Sequence, residues 1–222
     1  MANTTSAQLS NDLRNRFDLP VGFRERQTRQ PFGSGIAAVD QLLDDGFPRA
    51  ALTEVSGAPS TNRTALVVCT LAHALAAGEC GAWIDGAGTF DPESAAEAGL
   101  QLEQLLWINC GGQAEAALKA TDLLLHGGGF GLVVFDLADF PEASVRRISM
   151  ASWFRLRHAA EETGTALITL TPTPQTRSCS AVCVELTRQK SIWRGKLLRG
   201  IASLLEIRKH AGLKKTPIES VL

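Results

Sequence analysis

Leu132-Val133-Val134-Phe135 is a run of four apolar residues with no polar alternation, entered through the glycines 127–129 and closed by Asp136. A strand with this pattern is apolar on both faces, so helices must cover both sides of its sheet, as happens in parallel sheets. Further strand-like runs recur at 51–55, 80–84, 105–108 and 166–170. Between them lie segments with helical periodicity near 37–44, 63–77, 92–98, 113–126 and 142–162. Strands alternating with helices predict an α/β fold: a three-layer core with a mostly parallel central sheet. After Pro172 and Pro174 the alternation stops. Two further strand-like runs, at about 181–187 and 200–208, predict an antiparallel C-terminal extension of that sheet. Ahead of the core, Leu9, Leu13 and Phe17 recur at helical spacing and predict a short amphipathic helix over 7–17, followed by an Arg-rich linker. The expected organisation is therefore an N-terminal helix and linker (1–32), a core (33–210) and a flexible C-terminal tail (211–222).

Charge is segregated along the chain, although the whole carries a net charge of −1. Residues 31–176 hold seven basic residues against seventeen acidic ones, a net of −10. Residues 177–215 hold ten basic residues against Glu185 and Glu206, a net of +8. The basic segment includes Arg188, Lys190, Arg194, Lys196 and Arg199 around Trp193. Cations with an interleaved indole suit a nucleic-acid backbone with a stacked base; equally, they suit an acidic protein surface or a solvated hairpin. No apolar run is long enough to span a bilayer, and the start Met1-Ala2-Asn3-Thr4-Thr5 lacks the basic and apolar parts of an export signal. A soluble, cytoplasmic protein without membrane partners is expected. The five cysteines form no CxxC pair, so reduced structural thiols are expected rather than a metal site or a disulfide framework.

The loop after the first core strand carries the candidate chemistry. A phosphate-binding loop needs G-x-x-x-x-G-K-[ST] between a strand and a helix. Here the eight residues are Gly57-Ala58-Pro59-Ser60-Thr61-Asn62-Arg63-Thr64. The first Gly and the last Thr are in place; Asn62 stands for the second Gly and Arg63 for the Lys. Asn tolerates a positive φ better than most residues, so the loop shape can survive. Arg is longer and planar and does not occupy the space of a lysine ammonium. Thr64 retains a hydroxyl for Mg²⁺, and Asp136 ends a strand where a second Mg²⁺-organising carboxylate is expected. Gly57, Asn62, Arg63, Thr64 and Asp136 thus form a relic nucleotide site. Weak ATP and Mg²⁺ binding is compatible with it, but no cofactor is required.

Gly33-Ser34-Gly35 with Val39-Asp40, then Gly46-Phe47-Pro48-Arg49, then Leu52 to Gly57, resembles the entry to the RecA ATPase core. Ala82-Trp83-Ile84-Asp85, Phe90-Asp91-Pro92 and Ala98-Gly99-Leu100 resemble its second strand and helix. The resemblance implies a catalytic glutamate two residues after Asp85, where this chain has Ala87. It implies a glutamine after the fifth strand, for which Thr173 and Gln175 are the nearest candidates. It also implies paired basic residues on the last core strand, where Arg208 and His210 stand. The segment 171–180 is much shorter than RecA's main DNA-binding loop.

A compact RecA-like chain with these losses is similar to the ImuA family of mutagenesis accessory proteins. That resemblance implies a non-catalytic adaptor in bacterial SOS-type translesion synthesis, with RecA and an ImuB-like polymerase subunit as partners. Leu9, Leu13 and Phe17 would supply a partner or self-association contact by analogy with RecA subunits, or pack back on the chain's own body. The alternatives are an active DNA-dependent ATPase forming its own filaments and a stand-alone module for single-stranded DNA.

Overall fold

A computed structural model describes residues 30–209 and 212–221. The predicted helix over 7–17, with Leu9, Leu13 and Phe17, lies outside the described residues.

One eight-stranded sheet organises the chain, in the order β3-β2-β4-β5-β1-β6-β7-β8, its last three members being β6 (Val182–Arg194), β7 (Leu197–Lys209) and β8 (Gly212–Val221). Its first members are β1 (Ala51–Gly57), β2 (Gly81–Asp85), β3 (Leu105–Asn109), β4 (Leu132–Asp136) and β5 (Ala166–Thr171). All five run parallel. The helices are α1 (Ala37–Leu42), α2 (Arg63–Ala76), α3 (Pro92–Glu97), α4 (Ala114–Gly127), α5 (Glu142–Val145) and α6 (Met150–Thr163).

Side chains on each central strand alternate between two cores, as the pleat requires. Trp83, Val134, Ile168 and Leu170 join Leu66, Leu71 and Leu75 of α2 and Val39 of α1 on one side. Ile84, Val133, Phe135 and Leu167 join Leu124 and Leu125 of α4 and Trp153 and Leu156 of α6 on the other. β2 and β4 are buried at every position, which is what the uninterrupted apolar runs demanded.

The structure departs from the sequence reading in three places. The helix expected over 142–162 is two helices. The chain breaks at Arg146–Ser149, and Ser149 caps α6 by accepting the Ser152 amide at 3.1 Å; a local side-chain cap won over continuous periodicity. The strand expected near 181–187 is β6 (Val182–Arg194), which pairs parallel to β1; the antiparallel extension begins only with β7 (Leu197–Lys209). The third departure is the expected flexible tail. Gly212–Val221 forms β8, antiparallel to β7, and Ile218 is buried in the α1–α2 core. Burial of that isoleucine and a full ladder against β7 offset the polar composition that suggested a loose end. Pro217 sits on this outermost strand, the place in a sheet where proline is tolerated.

The start of the core is pinned as well. Phe32 forms a bridge with Phe47, and the Arg49 guanidinium lies 3.5 Å from the centroid of the Phe32 ring while bonding Gln30 O and Glu79. All five cysteines are free, and burial pushes their thiols up, away from the reactive thiolate. Among the described residues no helix is long and apolar enough to cross a membrane.

Candidate functional site: the loop between β1 and α2

β1 delivers Gly57 to the carboxyl edge of the sheet, and α2 begins six residues later at Arg63. Gly57 must lack a side chain. A Cβ there would lie 2.6 Å from Thr61 Oγ1 and 2.7 Å from Leu186 O, so the loop packs directly on β6. Thr61 Oγ1 closes the turn by donating to Ala58 O at 2.8 Å. Asn62 takes φ +66° as the residue preceding α2, the left-handed geometry that asparagine tolerates. Its side chain does not cap the helix. Instead, Nδ2 donates to Ile201 O at 2.9 Å and to Ser203 Oγ at 3.2 Å, both on β7.

Arg63 points the other way, along the carboxyl ends of the strands. Its side chain is buried, with 4% exposure, and its guanidinium donates to Gly57 O, to Ala138 O at 2.9 Å and to Asp139 Oδ1 at 2.7 Å. Asp139 Oδ2 in turn accepts from Thr89 Oγ1 at 3.0 Å. The loop is thereby joined to the segments following both β4 and β2. Asp85 holds the latter segment by accepting the amides of Gly88, Thr89 and Phe90 at 2.7, 3.0 and 3.1 Å. Ala87, at the position of the implied glutamate, packs on the α4–α6 core. Thr64 is exposed, and a cavity of about 290 Å³ lined by 59–65 and Asp139 lies over the loop.

Asp136 pairs in register with Asp85 across β4 and β2. It accepts the Ala138 amide at 2.9 Å and is pushed up to about 7, chiefly by burial; the Ala138 bond and Arg63 oppose this, while Asp139 and Asp85 add to it. A carboxyl whose folded pKa exceeds its unfolded value holds a proton in the native state that the unfolded chain has lost. Stability from this group is therefore fully present below about pH 4 and falls as pH rises to about 7. Asp136→Asn keeps an acceptor for Ala138 and removes the titration. We expect its thermal midpoint to exceed that of the unaltered protein by a few degrees at pH 8 and to match it near pH 4, as read by thermal denaturation at both pH values.

The structure thus brings Gly57, Asn62, Arg63 and Asp136 into one region and places Thr64 at its exposed rim. It sets the basic group apart. Arg188, Lys190, Trp193, Arg194, Lys196 and Arg199 lie exposed on the distal half of the β6–β7 hairpin, with Trp193 60% exposed and Leu197 59% exposed beside it. Thr173 bonds Glu142, Gln175 bonds Thr173, and Arg208 faces Glu185 at 3.5 Å.

Three residues of the site were not singled out from the sequence. Asp139 and Thr89 stand in loops among small and apolar residues, without a distinguishing pattern. Glu54 did carry a signal, a charge inside an apolar strand. It is fully buried and accepts from Thr171 Oγ1 at 2.9 Å, Gln175 N at 2.6 Å, Thr176 N at 3.1 Å and Thr176 Oγ1 at 2.7 Å. It ties the strand that leads into the loop to the crossing from β5 to β6.

A mostly parallel sheet flanked by helices, with a strand–loop–helix turn at its carboxyl edge, is the arrangement of P-loop α/β proteins. The RecA N-terminal domain family matches residues 8–190, and the chain belongs to that family. Among curated relatives it is 31% identical over 134 residues to Protein RecA of Clavibacter michiganensis, a match covering 60% of this chain and 37% of that one. It is 32% identical over 117 residues to Protein RecA of Corynebacterium glutamicum, covering 52% and 31%. The matches thus span only about a third of the length of these relatives. In fold it is similar to the RadB recombinase, with a TM-score of 0.63 at 18% identity, covering 83% of this chain and 94% of that one.

Proposed function

We propose that this chain is a non-catalytic RecA-family adaptor in bacterial DNA-damage tolerance. It would act in translesion synthesis by binding RecA, an ImuB-like polymerase subunit, or both. The observation that supports the reading is the Arg63 guanidinium, turned into the loop and bonded to Gly57, Ala138 and Asp139. Phosphoryl transfer depends on positioned charges around the phosphates. Here the cation that follows the loop is committed to protein acceptors, and the residue two after Asp85 is Ala87. The β6–β7 hairpin is the contact surface in this reading. Five exposed cations with Trp193 and Leu197 suit an anionic partner, whether single-stranded DNA or an acidic protein face.

Two measurements on the full chain test the proposal. Co-purification with RecA and with the ImuB-like subunit is expected to retain at least one of them. Adding Mg-ATP, with and without single-stranded DNA, is expected to produce no phosphate release. DNA-stimulated turnover lost in Asp136→Ala would replace the adaptor reading with that of a working ATPase. Tight, salt-sensitive DNA binding without either partner would favour a stand-alone DNA-binding module.

A further inference from the structure

We infer that Asn62 is a positioning residue for the basic hairpin, fixing its orientation from the altered phosphate loop without any nucleotide. The inference deepens the proposed function and rests on it only in treating the hairpin as the contact surface. β6 is held on both sides as far as Leu186, whose partner Gly57 is the last residue of β1 to pair with it. Beyond that point β6 keeps β7 alone as its partner among the described strands, and the register shifts between Arg188 and Lys190. The two acceptors of Asn62, Ile201 O and Ser203 Oγ, lie opposite Ser191 and Arg188, on either side of that irregularity. The hairpin is thus gripped where β1 stops pairing with β6, on the stretch of β7 that pairs with β8 on its other side. Ser203 is fully buried, and Asn62 and Ile201 are half-buried. A glycine at position 62, which the phosphate-loop pattern calls for, would satisfy the φ of +66° but offer no donor to β7. The asparagine therefore preserves the loop shape and adds a tether.

Hydrogen–deuterium exchange on Asn62→Gly tests this, because glycine fits the backbone φ and removes the side-chain donor to β7. Amides of residues 188–203 are expected to exchange about 3- to 10-fold faster, the range for losing one or two such bonds, while those of β2, β4 and β5 keep their protection. Ser203→Ala should give a smaller rise in the same segment. Unchanged exchange over 188–203, or an equal rise throughout the sheet, would overturn the inference. Partner capture by the same variant distinguishes the two ideas. Faster local exchange with capture undiminished leaves Asn62 as the tether and removes the hairpin as the contact surface.

Discussion

Replacing Arg63 with alanine is expected to lower stability by about 2–3 kcal/mol, a fall of about 5–10 °C in the thermal midpoint for a chain of this size. The guanidinium is buried and makes three hydrogen bonds. Its removal strands the carbonyls of Gly57 and Ala138 under the loop, and a buried acceptor without a donor costs more than the bond itself was worth. The Asp139 part of the loss is smaller because that carboxylate is 43% exposed and can turn to water. Asp139→Asn should therefore cost less than half as much. Arg63→Lys should fall between them, since an ammonium cannot span the separate acceptors that the planar fork reaches. Denaturation of the three variants in parallel provides the measurement. A neutral Arg63→Ala would mean that the guanidinium does not hold the loop in solution.

A larger loss, about 3–4 kcal/mol, is expected for Glu54→Gln, although the two side chains have nearly the same shape. Each carboxylate oxygen of Glu54 accepts one hydroxyl and one backbone amide: Thr171 Oγ1 and Gln175 N on one, Thr176 Oγ1 and Thr176 N on the other. A glutamine must put its NH₂ at one of these positions. A hydroxyl can rotate to accept from that group; a backbone N–H cannot. One amide then faces a donor inside the core, and the charge assistance of the other bonds is lost as well. Chemical denaturation gives the free energy, and exchange at Gln175 and Thr176 locates the fault. If those two amides keep their protection, the clash is being relieved elsewhere and the expected cost would not appear.

The central strands were legible in the sequence because the demand on them is simple. Leu132–Phe135 has no polar face, so it must lie between two helical layers, and it does. The loop at 57–64 was legible by spacing, and the left-handed backbone at Asn62 followed from its residue type. The destinations of the two altered side chains were not. Asn62 reaches β7 some 140 positions away and Arg63 reaches the segment after β4, contacts set by sheet order rather than by local pattern. The same limit explains the tail: Gly212–Val221 lacks strong strand periodicity and becomes a strand because β7 presents an open edge to it.

The place of β1 in the sheet has a consequence for biosynthesis. β1 is the first of the described strands in the chain, yet its neighbours are β5 and β6, and Thr53 meets Val182 only 129 positions later. Until nearly the whole core has been translated, β1 has two open edges and apolar residues on both faces. Native pairing cannot proceed strand by strand in order of synthesis, and closing such distant contacts is slow. An unpaired strand edge of this kind is what makes partly folded chains prone to aggregation.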